Sequence, residues 1–185
     1  MESLEDVDDP TFRRKLDQAT IAASPFHLPD IADVVTDLAV LHGRVIRCLR
    51  VARRSASRDD PARPGVNCHA YALGLHATQA FREINKSPES DFVTSLIESG
   101  LLVPQTCEDV REGDVVPYRS DQRITHSGIA LRFEIESKWG EGSIFRHSLF
   151  AVPLNYGSAI SFHRSPELAA IESAYRVWFF ALAAR

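Results

Sequence analysis

The chain reads as an α+β domain, and three observations predict it. Apolar residues recur at helical spacing through the first hundred positions. Beyond Gly100 the pattern changes to short β-rich segments separated by turn residues, and a last apolar helical stretch closes the chain. With 185 residues, 44% hydrophobic and 25% charged, the composition is that of one globular domain with room for a helical extension.

The elements follow in order. Asp9-Pro10 is an N-cap with proline at the first helical position, and "TFRRKLDQATIAA" continues the helix. Pro25 and Pro29 are expected to break it. A second, longer helix is expected from near Asp30, with Ile31, Val34, Val35, Leu38, Leu41, Val45 and Leu49 at helical spacing. Its C-terminal half carries Arg44, Arg47, Arg50, Arg53 and Arg54. Cations there suit the helix dipole, so a solvated face is the plain reading and a surface for an acidic partner the sharper one. "RRSASRDDPARPG" is a polar, proline-containing connector, which divides a helical extension at 1–60 from a main domain at 61–185.

A helix bearing Cys68 comes next, then a loop around Asn85, and Ser87-Pro88-Glu89 opens a helix that closes at Gly100. "GDVVPY", "ITHSGIALRF", "FEIESKW", "SIFRHSL" and "GSAISFHR" are read as an antiparallel sheet. Ser165-Pro166-Glu167 caps the closing helix.

Charge and cysteine content exclude several classes. A net charge of -4 argues against nucleic-acid binding, which draws on a basic surface. Cys48, Cys68 and Cys107 have no paired spacing, so neither a disulfide framework nor a metal site is expected, and no cofactor is called for. The acidic start "MESLEDVDDP" lacks the apolar region of a signal peptide. No apolar run approaches the ~20 residues that span a bilayer. Synthesis as a cytoplasmic protein is the expectation, with the place of action a separate question.

The chemistry gathers around "GVNCHAYALGLH" at 65–76. A cysteine nucleophile needs a base to make the thiolate and a group to orient the base. Asn67 suits an N-cap, which puts Cys68 on the first helical turn, where a thiol pKa is lowered. Gly74 within that helix suggests close packing on the sheet. Of seven histidines, His27 and His42 lie in the extension, His69 points away from Cys68 on a helix, and His76 is two turns on. His126 in "THSGIAL" opens an apolar strand preceded by Gly113-Asp114, the placement a base requires. His147 in "IFRHSL" is within reach as the orienting group, and His163 lies nearer the last helix. A buried small thiol and a structural strand histidine remain the plain readings of Cys68 and His126 taken singly.

The joint order resembles the NlpC-type papain-like cysteine peptidases and amidases, relatives of the CHAP amidohydrolases, over about 65–164. "NCHAYALGL" is similar to the nucleophile helix at Cys68, "REGDVVPY" to the GD strand, and "ITHSGIAL" to the strand that opens with the base at His126. The segment from "ESKWGEGSIF" to "ISFHR" resembles a divergent bacterial branch of the superfamily. The resemblance implies a nucleophile helix packed on an antiparallel sheet and a Cys-His attack on an amide. The third residue departs from the family pattern. It falls near Ser137-Lys138 in "ESKWG", or at His147 with a shift of one strand, and His147 is favoured because a lysine cannot accept a hydrogen bond from the imidazole.

The expected activity is thiol hydrolysis of a peptide amide, with peptidoglycan stem peptide as the family's commonest target. The oxyanion would be held by the Cys68 backbone N–H, with the Asn67 side chain as a second donor, and Tyr118 and Trp139 would line the substrate cleft. Export by a machinery that needs no signal peptide, as an effector, or action on a cytosolic amide both fit. Deamidation, acyl transfer by the same chemistry, and a non-catalytic binding module that contacts a protein partner through the N-terminal helices stay open beside it.

Overall fold

The structure is a computed structural model that describes residues 8–22, 28–51, 56–57, 59–140 and 142–184. Among these, six α-helices and an antiparallel eight-stranded sheet form an α+β architecture. The helices are α1 (Pro10–Ala22), α2 (Leu28–Leu41), α3 (Cys68–Ala72), α4 (Gln79–Ile84), α5 (Ser90–Glu98) and α6 (Leu168–Ala183). The strands are β1 (Ile46–Arg50), β2 (Val103–Gln105), β3 (Val115–Ser120), β4 (Arg123–Ala130), β5 (Ile135–Lys138), β6 (Ile144–His147), β7 (Ala159–Ile160) and β8 (Phe162–Arg164). Their order is β1-β6-β5-β4-β3-β8-β2, with β7 on β3. No helix among the described residues is long and apolar enough to cross a membrane.

Local chemistry accounts for most helix ends. Asp9 Oδ1 accepts from the N–H groups of Thr11 and Phe12, capping α1 as expected. Asn85 closes α4 in the left-handed conformation, φ 52°. Pro29 falls in the first turn of α2, where its missing N–H is tolerated, so it starts a helix instead of breaking one. Pro25 and His27 lie outside the described residues.

Two helices are shorter than their apolar spacing predicts. α2 stops at Leu41, because Gly43 turns the chain at φ 64°, and the residues expected to extend the helix to Leu49 form β1 instead. There Ile46 pairs with His147 and Cys48 with Phe145 at the sheet edge. Arg47 reaches Glu134 at 2.5 Å and Arg50 reaches Asp60 at 3.3 Å from this strand, so the arginines do not share one helix face. Arg53 and Arg54 lie outside the described residues. The helix after Asn67 likewise ends at Ala72, since Gly74 adopts φ 68° and splits the segment into α3, a 3-10 turn and α4. Gly74 packs near Leu168 of α6 and not on the sheet.

Two apolar clusters cover the two faces of the sheet. One joins Ala70, Tyr71 and Ala72 of α3 to Phe81, Phe92, Val93, Leu96, Val115, Ile171 and Tyr175. The other joins Phe12 and Leu16 of α1, Ala32, Val35 and Ala39 of α2 and Ile46 of β1 to Val116, Tyr118, Ile135, Trp139 and Phe145. Residues 1–60 therefore are not an all-helical appendage. Their described part supplies one edge strand and one covering layer of the same sheet.

Candidate active site

Asn67 caps α3 as the sequence predicts. Its Oδ1 accepts from Ala70 N at 2.9 Å and its Nδ2 donates to Pro88 O at 2.7 Å. Those bonds commit the Asn67 side chain to holding the turn, which takes it away from the oxyanion role assigned to it on sequence grounds. Cys68 then occupies the first position of a five-residue helix packed on β4 and β5.

The thiol is buried, and this reverses the expected shift. Burial pushes the Cys68 pKa up to about 11, while the backbone N–H groups of Ser127, His69 and Cys68 itself, and the Lys138 cation, pull it the other way without prevailing. Desolvation disfavours the thiolate more than one short helix terminus favours it. In this conformation Cys68 is a neutral thiol whose sulphur meets β4 at the Ser127 N–H.

His126 is the next residue along β4, and it leaves the strand on the other face. Ser127 Oγ meets His69 Nδ1 of α3 at 2.9 Å, whereas His126 pairs across the ladder with Tyr118, and successive strand side chains alternate faces. His126 has 0% exposure, its ring lies against Tyr118 at 5.5 Å between centroids, and Tyr156 stacks on it at 4.0 Å with planes 6° apart. Neither ring nitrogen has a hydrogen-bond partner among the described residues. Burial drives its pKa well below the ordinary range, and the neighbouring His147 and His69 push the same way. No hydrogen bond joins His126 to Cys68, so the strand-edge base facing a helix terminus is not formed here.

The two alternatives for the third residue are bonded to each other. Ser137 Oγ and His147 Nε2 lie 2.8 Å apart, and His147 Nδ1 is 2.8 Å from Ser148 O. Trp139 Nε1 donates to Ser137 Oγ at 3.1 Å. Lys138, with its side chain buried, donates to Gly142 O at 2.6 Å. His147 lies near enough to His126 to disfavour its protonation, which keeps both in one buried polar cluster.

Tyr118 and Trp139 are core residues and not cleft walls. Tyr118 has 0% exposure and donates to Leu149 O at 2.8 Å; Trp139 packs on Phe145 and edge-on to Tyr156. His163 pairs with Ser161 and His76 stacks on Tyr71, so both have structural settings. The GD pair is structural as well. Gly113 takes φ 92°, and buried Asp114 receives Arg164 Nε at 2.6 Å and Arg111 N at 2.8 Å, tying the start of β3 to β8.

Three groups of this centre escape the sequence reading. Tyr156 sits in an aperiodic stretch, "VPLNYGS", with no signal for a ring over His126. His69 is buried beside Ser127, with its pKa lowered to about 4 by burial. An open cleft of about 840 Å³ reaches the strand one residue from His126, lined by Ser90, Asp91 and Thr94 of α5, Asp121 and Arg123 of the β3–β4 hairpin, and Thr125. Comparison with protein-family models, with curated proteins and with solved structures finds no match for this chain.

Proposed function

We propose that this chain is a thiol hydrolase with a papain-like core, in which Cys68 attacks an amide carbonyl and His126 serves as base and then acid. The observation that carries this reading is His126 itself. Buried polar groups are almost always hydrogen-bonded, yet both nitrogens of a fully buried imidazole lie idle, one residue from the N–H that meets the Cys68 sulphur. An idle histidine beside a cysteine at a helix start is an acid–base group whose partner arrives with substrate or with a shift of the strand. On this reading the Ser137–His147 pair, in the same buried cluster, orients the imidazole once His126 moves to engage it, and the Cys68 backbone N–H supports the oxyanion. The cleft bordered by Thr125 offers a peptide amide an approach to this centre.

In the mechanism, the sulphur–carbon bond forms as the thiol proton passes to His126. The C–N bond breaks as that proton goes to the leaving amine, and water releases the acyl group. Deamidation and acyl transfer differ only in the leaving or accepting group. A peptidoglycan stem peptide is the first substrate to try, and a cytosolic amide is the other. One observation favours a second reading, a non-catalytic binding module: the thiol is neutral and buried, and His126 leaves β4 on the face away from α3. Incubation with purified peptidoglycan and with glutamine-containing peptides, reading new amino groups and free ammonia, separates the two. Turnover lost in both Cys68→Ala and His126→Ala supports the hydrolase, and turnover retained in Cys68→Ala overturns it.

A further inference from the structure

The loop that carries Tyr156 is fastened to the N-terminal helix by a buried cation. Arg13 of α1 has 0% exposure. Its Nε donates to Val152 O at 3.0 Å, and its Nη2 donates to Pro153 O at 3.3 Å and Gly157 O at 2.5 Å. Asp8 neutralises the guanidinium at 2.9 Å. One turn on, Asp17 Oδ1 accepts from Asn155 N at 3.1 Å. α1 thus grips the loop at both ends and in the middle. On the sheet side, Thr125 Oγ1 donates to Tyr156 O at 2.5 Å. Gly157, at φ 94°, lies so close to β3 that a Cβ there would collide with the Arg119 carbonyl.

The result is a half-buried tyrosine whose ring lies flat on a fully buried imidazole. Tyr156 also lies near enough to Cys68 for a thiolate there to disfavour its own ionisation. Tyr156 therefore covers the His126 ring and reaches toward Cys68, and α1 holds its loop there.

Resting on the hydrolase reading, we propose that the 152–158 loop is a lid over Cys68 and His126 and that α1 is its latch, so that the centre is closed until Arg13 lets go. This gives the N-terminal segment a function: it regulates the site from the face of the sheet that holds His126. A grip on three backbone carbonyls by a buried guanidinium is strong when formed and is lost as a unit, because all its bonds share one side chain. Such a contact suits a two-position latch, with opening set by whatever competes for α1.

The test reads Cys68 accessibility and needs no substrate. The full chain is alkylated with iodoacetamide and mapped by peptide mass, with exposed Cys107 as internal reference. Tyr156→Ala and Arg13→Gln are each expected to speed Cys68 labelling by roughly tenfold or more over wild type, with Cys107 unchanged. Asp17→Ala, which removes only the outer contact, should give a smaller rise and serves as the latch variant should Arg13→Gln fail to fold. Wild-type labelling in a folded Tyr156→Ala protein would overturn the lid. A fast Tyr156→Ala beside a folded Arg13→Gln, or failing that an Asp17→Ala, at the wild-type rate would overturn the latch. Opened variants that label quickly but hydrolyse nothing would leave the lid standing and remove the hydrolase reading.

Discussion

Ser137 Oγ and His147 Nε2 are 2.8 Å apart, on neighbouring antiparallel strands, in the buried layer that also holds His126. On the hydrolase reading the two act as one orienting unit and not singly. The hydroxyl fixes the imidazole, the Ser148 carbonyl fixes its other nitrogen, and Trp139 donates to the same hydroxyl. Because the parts act as one network, removing either should cost about as much as removing both. Ser137→Ala, His147→Ala and the double variant should therefore show similar losses of activity and a coupling energy of about 1 kcal/mol or more in a double-mutant stability cycle. Fully additive effects in that cycle would show that the two residues serve separate ends.

Thiol reactivity in the wild-type chain should follow burial. Cys107 is exposed, Cys48 is half-buried with its pKa raised by desolvation, and Cys68 is buried with its pKa at about 11. Pulse alkylation at pH 8 should modify Cys107 first, Cys48 next and Cys68 last. Cys68→Ala should lower stability by about 1 kcal/mol, the scale expected for emptying a small buried volume. Cys68 reacting ahead of Cys107 would mean that the open form dominates in solution.

Much of the sheet was legible because each segment from Val115 to Arg164 is bounded by turn residues and is rich in β-formers. The strands that escaped lie where local signals conflict. In "LHGRVIRCLR" the apolar spacing continues that of α2, and Gly43 alone decides that β1 begins. Cys68 and its cap were legible from Asn67. The reversal of the thiol shift was not, because burial depends on what α3 packs against. His126 was legible as a strand histidine, but its face depends on register, and one step along β4 exchanges the Ser127 side for the Tyr156 side. Arg13 meets the Pro153 and Gly157 carbonyls, on either side of Tyr156, across 140 and 144 positions, a pairing that no local pattern encodes.

Removing the first sixty residues should not yield a stable core. Phe12, Leu16, Val35 and Ile46 are each at most 3% exposed and fill one face of the sheet, and β1 pairs with β6. Deleting them bares that face and frees a strand edge, which invites association. A chain that starts at residue 61 should be recovered aggregated or with exposed-hydrophobe dye binding. A monomeric 61–185 fragment that melts as cooperatively as the whole chain would show that the sheet does not need its covering layer.

Asp114 gives a structural control for the variants that test the proposed chemistry. It is 2% exposed, accepts from Arg164 Nε and from Arg111 N, and immediately precedes β3, the strand that pairs with β4, with no hydrogen bond to His126. Asp114→Ala removes those charge-assisted bonds and should cost about 2 kcal/mol. Activity per folded molecule should stay near wild type, in contrast to His126→Ala. A normal melting temperature with activity lost would move Asp114 from scaffold to site.

The last prediction concerns pH, where the buried groups act in opposite directions. His69 is lowered from 6.5 to about 4 by burial, and His126 is also held well below 6.5 by burial and its neighbouring histidines. Below pH 6.5 the unfolded chain takes up protons that the folded chain refuses, so stability declines as pH falls from about 6.5 toward 4. The His69 share of that loss is on the order of 3 kcal/mol by pH 4. Cys68 is raised from 9.0 to about 11, so the unfolded chain releases its proton first, and stability declines again as pH rises through that interval. Melting temperatures should therefore form a plateau between about pH 6.5 and 9, with a fall on each side. His69→Gln, which keeps a bond to Ser127 but cannot titrate, should flatten the acid limb, and Cys68→Ala should flatten the alkaline one. An acid limb that is equally steep in His69→Gln would mean that His69 is not held neutral in the folded chain.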